Sequence, residues 1–110
     1  MRLPIDIETH EDRLAFELFD ATTLAVGISI TIPGDAVLTF RGLGARHDRP
    51  DAPGTLRLEL SLDHTAAAGR AAAWLCSRIQ GRASTLLIAG TGVEVDAAKV
   101  ENALRQHTGR

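Results

Sequence analysis

The stretch TLRLELSL, at residues 55–62, is the clearest strand signal in the chain and decides the class of the fold. Leucine fills every second position, and Arg57, Glu59 and Ser61 lie between the leucines. Successive side chains of a β-strand point to opposite faces of a sheet, so this alternation predicts one face on a hydrophobic core and one face in water. A strand with one wet face is typical of an antiparallel sheet.

The next stretch, DHTAAAGRAAAWLCSRIQGR at residues 63–82, predicts a helix. Asp63 or Thr65 can cap its start, and Gly81 can end it. At ~100° per residue, four apolar side chains fall on one side of the helix, and we expect that side to pack on the sheet. These four are Ala68, Ala72, Leu75 and Ile79, with Cys76 at the edge of the same face.

The segments before residue 55 extend the β pattern. Alternating apolar residues predict strands in LPIDIE (3–8), LAVGISITI (24–32) and VLTFRG (37–42). The last two form a hairpin around PGDA (33–36), whose Pro and Gly favour a turn. The segment RLAFELFD (13–20) fits both a strand and a helix pattern, and the positions of its two Phe residues favour a strand.

After the helix, STLLIAGTGVEVDA (84–97) predicts a second hairpin around residues 90–92, and Asp96 can cap a last helix. A chain of 110 residues is the size of one domain, and 45% hydrophobic with 24% charged residues is ordinary for a globular protein.

These elements together predict one α+β domain over residues 1–110. We expect a mostly antiparallel sheet of about 5–7 strands, with two helices, about 64–80 and 97–107, packed on one face.

Composition and charge exclude several functional classes. The net charge is −2 and no block of like charge occurs, so we expect no nucleic-acid partner. No apolar run approaches the ~20 residues that span a bilayer, and the N-terminus lacks the apolar core of a signal peptide. We therefore expect no membrane partner and a cytoplasmic location. A single Cys cannot form an internal disulfide.

Candidate catalytic and metal-binding groups are few. Cys76 could act as a nucleophile with a histidine as its base, but free Cys is among the most buried residue types, so we interpret it as a packing residue. The histidines lack the paired spacing of a helix-borne zinc site. They are His10, His47, His64 and His107. We predict no catalytic residue, no metal and no cofactor, although a site assembled from distant residues leaves no local motif.

The segment GLGARHDRPDAPG (42–54) has no apolar period and predicts a surface loop. Arg41, Arg46 and His47 lie in or beside this loop. An alternative function, a small enzyme or a ligand-binding domain, would need a well-formed pocket lined by these three side chains.

Trp74, the only Trp in the chain, falls on neither the core face nor the wet face of the predicted helix. It projects from one flank, near Ala67, Ala71 and Arg78. In one interpretation Trp74 is covered by its own chain, at the sheet edge or under the last helix. In the other, Trp74 with Arg70 and Arg78 anchors a partner protein, since Trp and Arg are enriched at binding hot spots and small alanines would let another backbone approach.

The sequence AAGRAAAWLCSRIQGRASTLLIAGTGVEVDAAKVENAL, at residues 67–104, resembles the C-terminal part of the effector-associated constant component domains of actinobacterial conflict systems. The similarity lies in the small-residue helix with Trp74-Leu75 and Ser77-Arg78, then a hairpin containing VEVDA, then a short helix. What the resemblance implies is a non-catalytic adaptor that engages partner proteins encoded nearby, with no catalytic residues to carry over.

These inferences lead to a predicted function. We expect a non-catalytic protein-interaction module in a bacterial defence or signalling operon, whose partner is another protein encoded nearby. The first alternative is an immunity or antitoxin protein that inhibits a cognate toxin, and the second is the enzyme or ligand binder described above. An alanine-rich helix or an exposed strand edge could each support a homodimer, so the oligomeric state stays open.

Overall fold

A computed structural model describes residues 2–11, 13–44 and 54–108 of the chain. The strands are β1 (Arg2–Thr9), β2 (Ser29–Ile32), β3 (Ala36–Leu43), β4 (Gly54–Leu62), β5 (Ala83–Ile88) and β6 (Thr91–Val93). The helices are α1 (Leu14–Leu18), α2 (Ala68–Ile79) and α3 (Ala97–Thr108), and a single 3₁₀ turn (Thr65–Ala67) leads into α2.

The six strands form one antiparallel sheet in the order β2-β3-β4-β1-β5-β6. The central strands β4 and β1 set the register, with Leu58 opposite both Ile5 on β1 and Phe40 on β3. Because side chains alternate along each strand, this register stacks apolar residues of neighbouring strands on the same face. The sheet therefore has one apolar face and one polar face.

The helices cover the apolar face, and the predicted α+β class is confirmed. The alternate leucines of β4 are buried, together with Ile5 and Ile7 of β1 and Leu86 and Ile88 of β5. The positions between them, such as the exposed Arg57, belong to the opposite face of the sheet. Both predicted long helices exist, and they share the same hydrophobic core with the sheet.

The prediction of a strand in residues 13–20 was wrong, because this segment forms the five-residue helix α1. Leu14 and Leu18, one helical turn apart, are both buried in the core. Phe19, just beyond the helix, is also buried and meets Phe40 edge to face, with ring centroids 5.9 Å apart. Among the apolar residues of this segment only Phe16 is exposed, so their burial follows the helical period.

The two hairpins are confirmed, with one shift in position. Gly34 and Asp35 turn the β2–β3 hairpin with φ of 101° and 71°. The β5–β6 turn consists of Ala89 and Gly90, both at positive φ, which matches the right-handed twist of a tight hairpin. It was predicted around residues 90–92, but Gly92 already lies in β6.

The helix ends agree with the sequence only in part. Asp96 caps α3, since its carboxylate accepts a hydrogen bond of 3.2 Å from the Ala98 N–H. Neither Asp63 nor Thr65 caps a helix through its side chain, because the 3₁₀ turn delays the start of α2. Gly81 follows the end of α2 at φ 77°, as expected of a residue that ends a helix.

Candidate functional site

Trp74 is half-buried: it packs against the core, and the guanidinium group of Arg78 lies over its ring. The guanidinium carbon of Arg78 lies 4.3 Å from the ring centroid, which is a cation–π contact. The Ser77 hydroxyl donates a 2.8 Å hydrogen bond to the Trp74 carbonyl. The interpretation that Trp74 is covered by its own chain is thus realised in part, because the indole packs on the core but is not enclosed.

Arg70, Trp74 and Arg78 lie four residues apart, so they follow one another along a single side of α2. We call these three residues the α2 stripe. Both arginines are exposed. The expectation that small flank residues leave room for another backbone was wrong, because Ala67 and Ala71 are buried. The stripe itself is the part of this flank that reaches the surface.

The α2 stripe lies beside the edge strand β2, and α2 and β2 run in opposite directions. At one end, a Cβ atom on Gly34 would lie only 2.5 Å from Cδ of Arg70, so the stem of Arg70 lies directly on the β2–β3 turn. At the other end, Arg78 and Ile30 line the same cleft. The stripe therefore follows β2 from its C-terminal end back toward its N-terminal half.

The positive charges of the stripe differ from that of the nearby Arg82. Arg82 forms ion pairs with Glu11, at 3.0 Å, and with Glu17, and these hydrogen bonds, that of Glu17 first, raise its pKa above the usual arginine value. Within residues 2–11, 13–44 and 54–108, neither Arg70 nor Arg78 has a carboxylate partner. The stripe presents two arginines whose charge is not neutralised by the described part of the chain.

The outer edge of β2 is free of strand partners in the described ranges. On the inner side, the Phe40 N–H donates a 2.8 Å hydrogen bond to the Ile28 carbonyl. Backbone groups alternate between inward and outward along an antiparallel strand, so Ser29 and Thr31 direct their N–H and C=O groups outward. The strand sequence, SITI, contains no charge and no proline, which are the usual protections of an edge.

A second surface feature is an apolar groove of about 880 Å³ between α1 and the far end of β3. Three large apolar side chains on its lining are exposed: Phe16 (37%), Val26 (68%) and Leu43 (66%). Sequence reasoning missed them. For Val26 and Leu43 the signal was an apolar side chain next to glycine, and for Phe16 it was an apolar position away from the Leu14–Leu18 stripe of the helix.

The residues predicted for a ligand pocket are not brought together by the described structure. Arg41 is exposed near the end of β3, and the described residues that line the apolar groove do not include it. Arg46 and His47 lie outside the described residues. Gly42, Leu43 and Gly44 line the groove, and they belong to the segment 42–54 on which the ligand-binding alternative was based.

Cys76 is buried, which confirms its interpretation as a packing residue. Burial, and after it the negative charge of Asp96, raises the pKa of the Cys76 thiol, so the thiolate needed for nucleophilic attack is disfavoured. In the part of the chain that the structure describes, no three His, Cys, Asp or Glu side chains come together as metal ligands. His64 instead lies at the surface, with Nε2 3.2 Å from Oδ2 of Asp35.

None of the helices in the described ranges is both long enough and apolar enough to cross a membrane. A comparison of the chain with protein-family models, with curated proteins and with solved structures gives no match. The candidate binding surfaces in the described ranges are the α2 stripe, the free edge of β2 and the apolar groove.

Proposed function

We propose that this protein is a non-catalytic protein-interaction module that binds its partner at the α2 stripe. The observation that carries the proposal is the half-buried Trp74 with Arg70 and Arg78 on either side of it, beside an unpaired strand edge. Trp and Arg are the residue types that dominate binding hot spots. The contacts of Trp74 with the core and with Arg78 also hold the ring in place before binding, which lowers the entropic cost of association.

The biological setting of the proposal comes from the resemblance of residues 67–104. The module would act in the cytoplasm, in a bacterial defence or signalling operon of the conflict-system kind. Its partner would be another protein encoded nearby. Nothing in this proposal requires a nucleic acid, a membrane or a cofactor.

Affinity capture with proteins encoded by the neighbouring genes tests the proposal. The tagged chain should retain a neighbour-encoded protein, and the double variant Arg70→Glu, Arg78→Glu should lose it. Arg57→Glu is the matched control, because Arg57 is an exposed arginine on the open face of the sheet. If the double variant and the control retained the partner equally, binding at the stripe would be ruled out.

An immunity or antitoxin protein is a narrower form of binding protein, in which the partner is a toxin. Co-expression with each neighbouring gene separates the two functions. An immunity protein would rescue cells from a lethal neighbour, and the Arg70→Glu, Arg78→Glu variant would lose that rescue. An adaptor would bind its neighbour without any such effect on survival.

The apolar groove favours a second candidate function, which is the binding of a small apolar ligand. Ligand sites are concave and mostly apolar, and a volume of about 880 Å³ lies within their usual range. Titration with the apolar dye 1-anilinonaphthalene-8-sulfonate tests whether the groove binds such molecules. Leu43→Ser should abolish saturable dye fluorescence, whereas Arg70→Glu should leave it unchanged.

A further inference from the structure

We propose that the free edge of β2 and the α2 stripe form one strand-addition site, which accepts an extended segment of a partner protein as a seventh strand. The segment would carry the pattern acidic–x–apolar–x–acidic on the side that faces the helices. This inference rests on the proposed function, because it names how the partner binds and which partner chemistry the surface fits.

The backbone half of the site is the outer edge of β2. Ser29 and Thr31 each offer one outward N–H and one outward C=O, as the alternation of the β2–β3 ladder requires. An added strand gains affinity from such main-chain hydrogen bonds, and side-chain pockets then supply its specificity. Ile30 and Ile32 anchor β2 on the helix side, so the edge is held ready for pairing.

The side-chain half of the site has the spacing of a strand. Residues four apart on a helix are separated by ~6 Å along its axis, and alternate residues on a strand are separated by ~6.8 Å. Because α2 runs alongside β2 from Gly34 to Ile30, Arg70, Trp74 and Arg78 match three alternate side chains of an added strand. The central side chain would meet the indole, and the outer two would meet the arginines.

Charge selects the flanking residues of the partner. Arg70 and Arg78 have no carboxylate partner within the described ranges, so two acidic side chains would complete them. Glu17 and Asp20 line the same cleft as Arg78. Glu17 pairs with Arg82, which also pairs with Glu11, and Asp20 is exposed to water, which screens it.

The same charges argue against a second copy of this chain as the occupant. Pairing two β2 strands around a twofold axis would be antiparallel, because an isologous contact repeats the same residues in reverse order. Since α2 is antiparallel to β2, this pairing would place Arg70 of one copy beside Arg78 of the other. Two such like-charge contacts in each dimer favour a different, acidic chain instead.

The experiment uses the full chain and a synthetic peptide, Thr-Asp-Thr-Leu-Thr-Asp-Thr, with a control peptide in which Lys replaces both Asp residues. Trp74 is the only Trp in the protein, so its intrinsic fluorescence reports occupancy of the site directly. The acidic peptide should give a saturable change in emission, and the lysine peptide should not. In the Arg70→Glu, Arg78→Glu variant, the affinity for the acidic peptide should fall by about tenfold or more. The affinity for the lysine peptide should be higher than that of the wild type.

A backbone variant separates strand addition from other binding at the stripe. Thr31→Pro removes an outward N–H while leaving the inward ladder bonds of β2, since proline is tolerated on an edge strand at such a position. This variant should lose peptide binding, whereas the matched Thr31→Val variant, which keeps the N–H, should retain it. Circular dichroism and thermal melting establish that both variants are folded.

The outcomes distinguish the inference from the proposed function. In one outcome, the neighbour-encoded protein binds Thr31→Pro as well as it binds wild type but no longer binds the Arg70→Glu, Arg78→Glu variant. The interaction module then stands, and strand addition is overturned. No saturable fluorescence change at millimolar acidic peptide would also overturn it. A concentration-dependent dimer that Thr31→Pro abolishes would replace the acidic partner by a second copy.

Discussion

The sheet ends in two edge strands, β2 and β6, which differ in how they are protected from pairing with another strand. β6 has only three residues, and the chain leaves it at once for α3, which packs beside it. Two contacts of charged side chains fix this connection: Glu94 pairs with Lys99, and Asp96 caps α3. Short length and adjacent charge are common ways in which proteins keep an edge from pairing.

β2 is only one residue longer than β6, but no charged side chain lies within its four residues. Its side chains alternate between hydroxyls and isoleucines, and the nearest helix offers the α2 stripe instead of a neutralised ion pair. An edge strand therefore becomes a candidate binding site when groups at that edge have no hydrogen-bonding or charge partner. At β2, within the described ranges, these groups are the outward N–H and C=O groups of the backbone and the two arginines of the α2 stripe. They lie side by side.

The largest expected effect concerns how firmly each edge is attached to the core. Ile32 on β2 is 1% exposed, whereas Val93 on β6 is half-buried. Ile32→Ala should lower the free energy of unfolding by about 2–5 kcal/mol, because it leaves a cavity in the core. Val93→Ala should cost about 1 kcal/mol, because less apolar surface is withdrawn from water there.

Urea titration of both variants at neutral pH measures this difference. Equal losses would mean that β2 is no better anchored than β6. The edge would then not be a rigid template, and the contrast between the two strands would fail.

The next effect concerns the contribution of the α2 stripe to the fold. Trp74→Ala should cost about 1–3 kcal/mol, less than a fully buried Trp, because only part of the ring packs against the core. Arg78→Ala should cost no more than about 1 kcal/mol, the range of an exposed cation–π contact. Trp74→Phe serves as the control that keeps an aromatic ring.

Chemical denaturation of the three variants gives these values, and a partner titration gives their binding. A loss above about 4 kcal/mol in Trp74→Ala would mark Trp74 as a core residue. Its role in the stripe would then be structural, and the interaction surface would reduce to the two arginines.

The sheet and its polar face were predictable because strand periodicity is local. The leucines of residues 55–62 alone require one buried face, and the burial of β4 follows them position by position. Residues 13–20 were not predictable in this way. Over so short a segment both periods fit the apolar residues, and the helix is the one that buries Leu14, Leu18 and Phe19 in the tertiary core.

The candidate site was predictable in its residues but not in its setting. The helical period groups Trp74 with Arg78, and Arg70 lies one turn earlier on the same side. It also placed Ala67 and Ala71 on an open flank, which was wrong because both side chains are buried in the core cluster. That β2 lies at an edge, antiparallel to α2, depends on strand order, which no local pattern contains.

The smallest effect tests the ionic protection of β6. The hydrogen bond and charge of Lys99 lower the pKa of Glu94 below its ordinary value of 4.5. A carboxyl whose pKa is lower in the folded state stabilises the fold fully above pH 4.5, and this contribution is lost as pH falls through the folded pKa. Both groups are exposed, so the effect is small and screened by salt.

Glu94→Gln should therefore shift the urea midpoint slightly downward at pH 7, and the shift should vanish at low pH, where the wild-type carboxyl is protonated. Added salt should shrink the difference at pH 7 in the same way. A difference that persists at low pH would assign the effect to packing instead of charge. Glu94 would then protect the β6 edge from pairing by covering it. The two edges would differ in shape rather than in electrostatics.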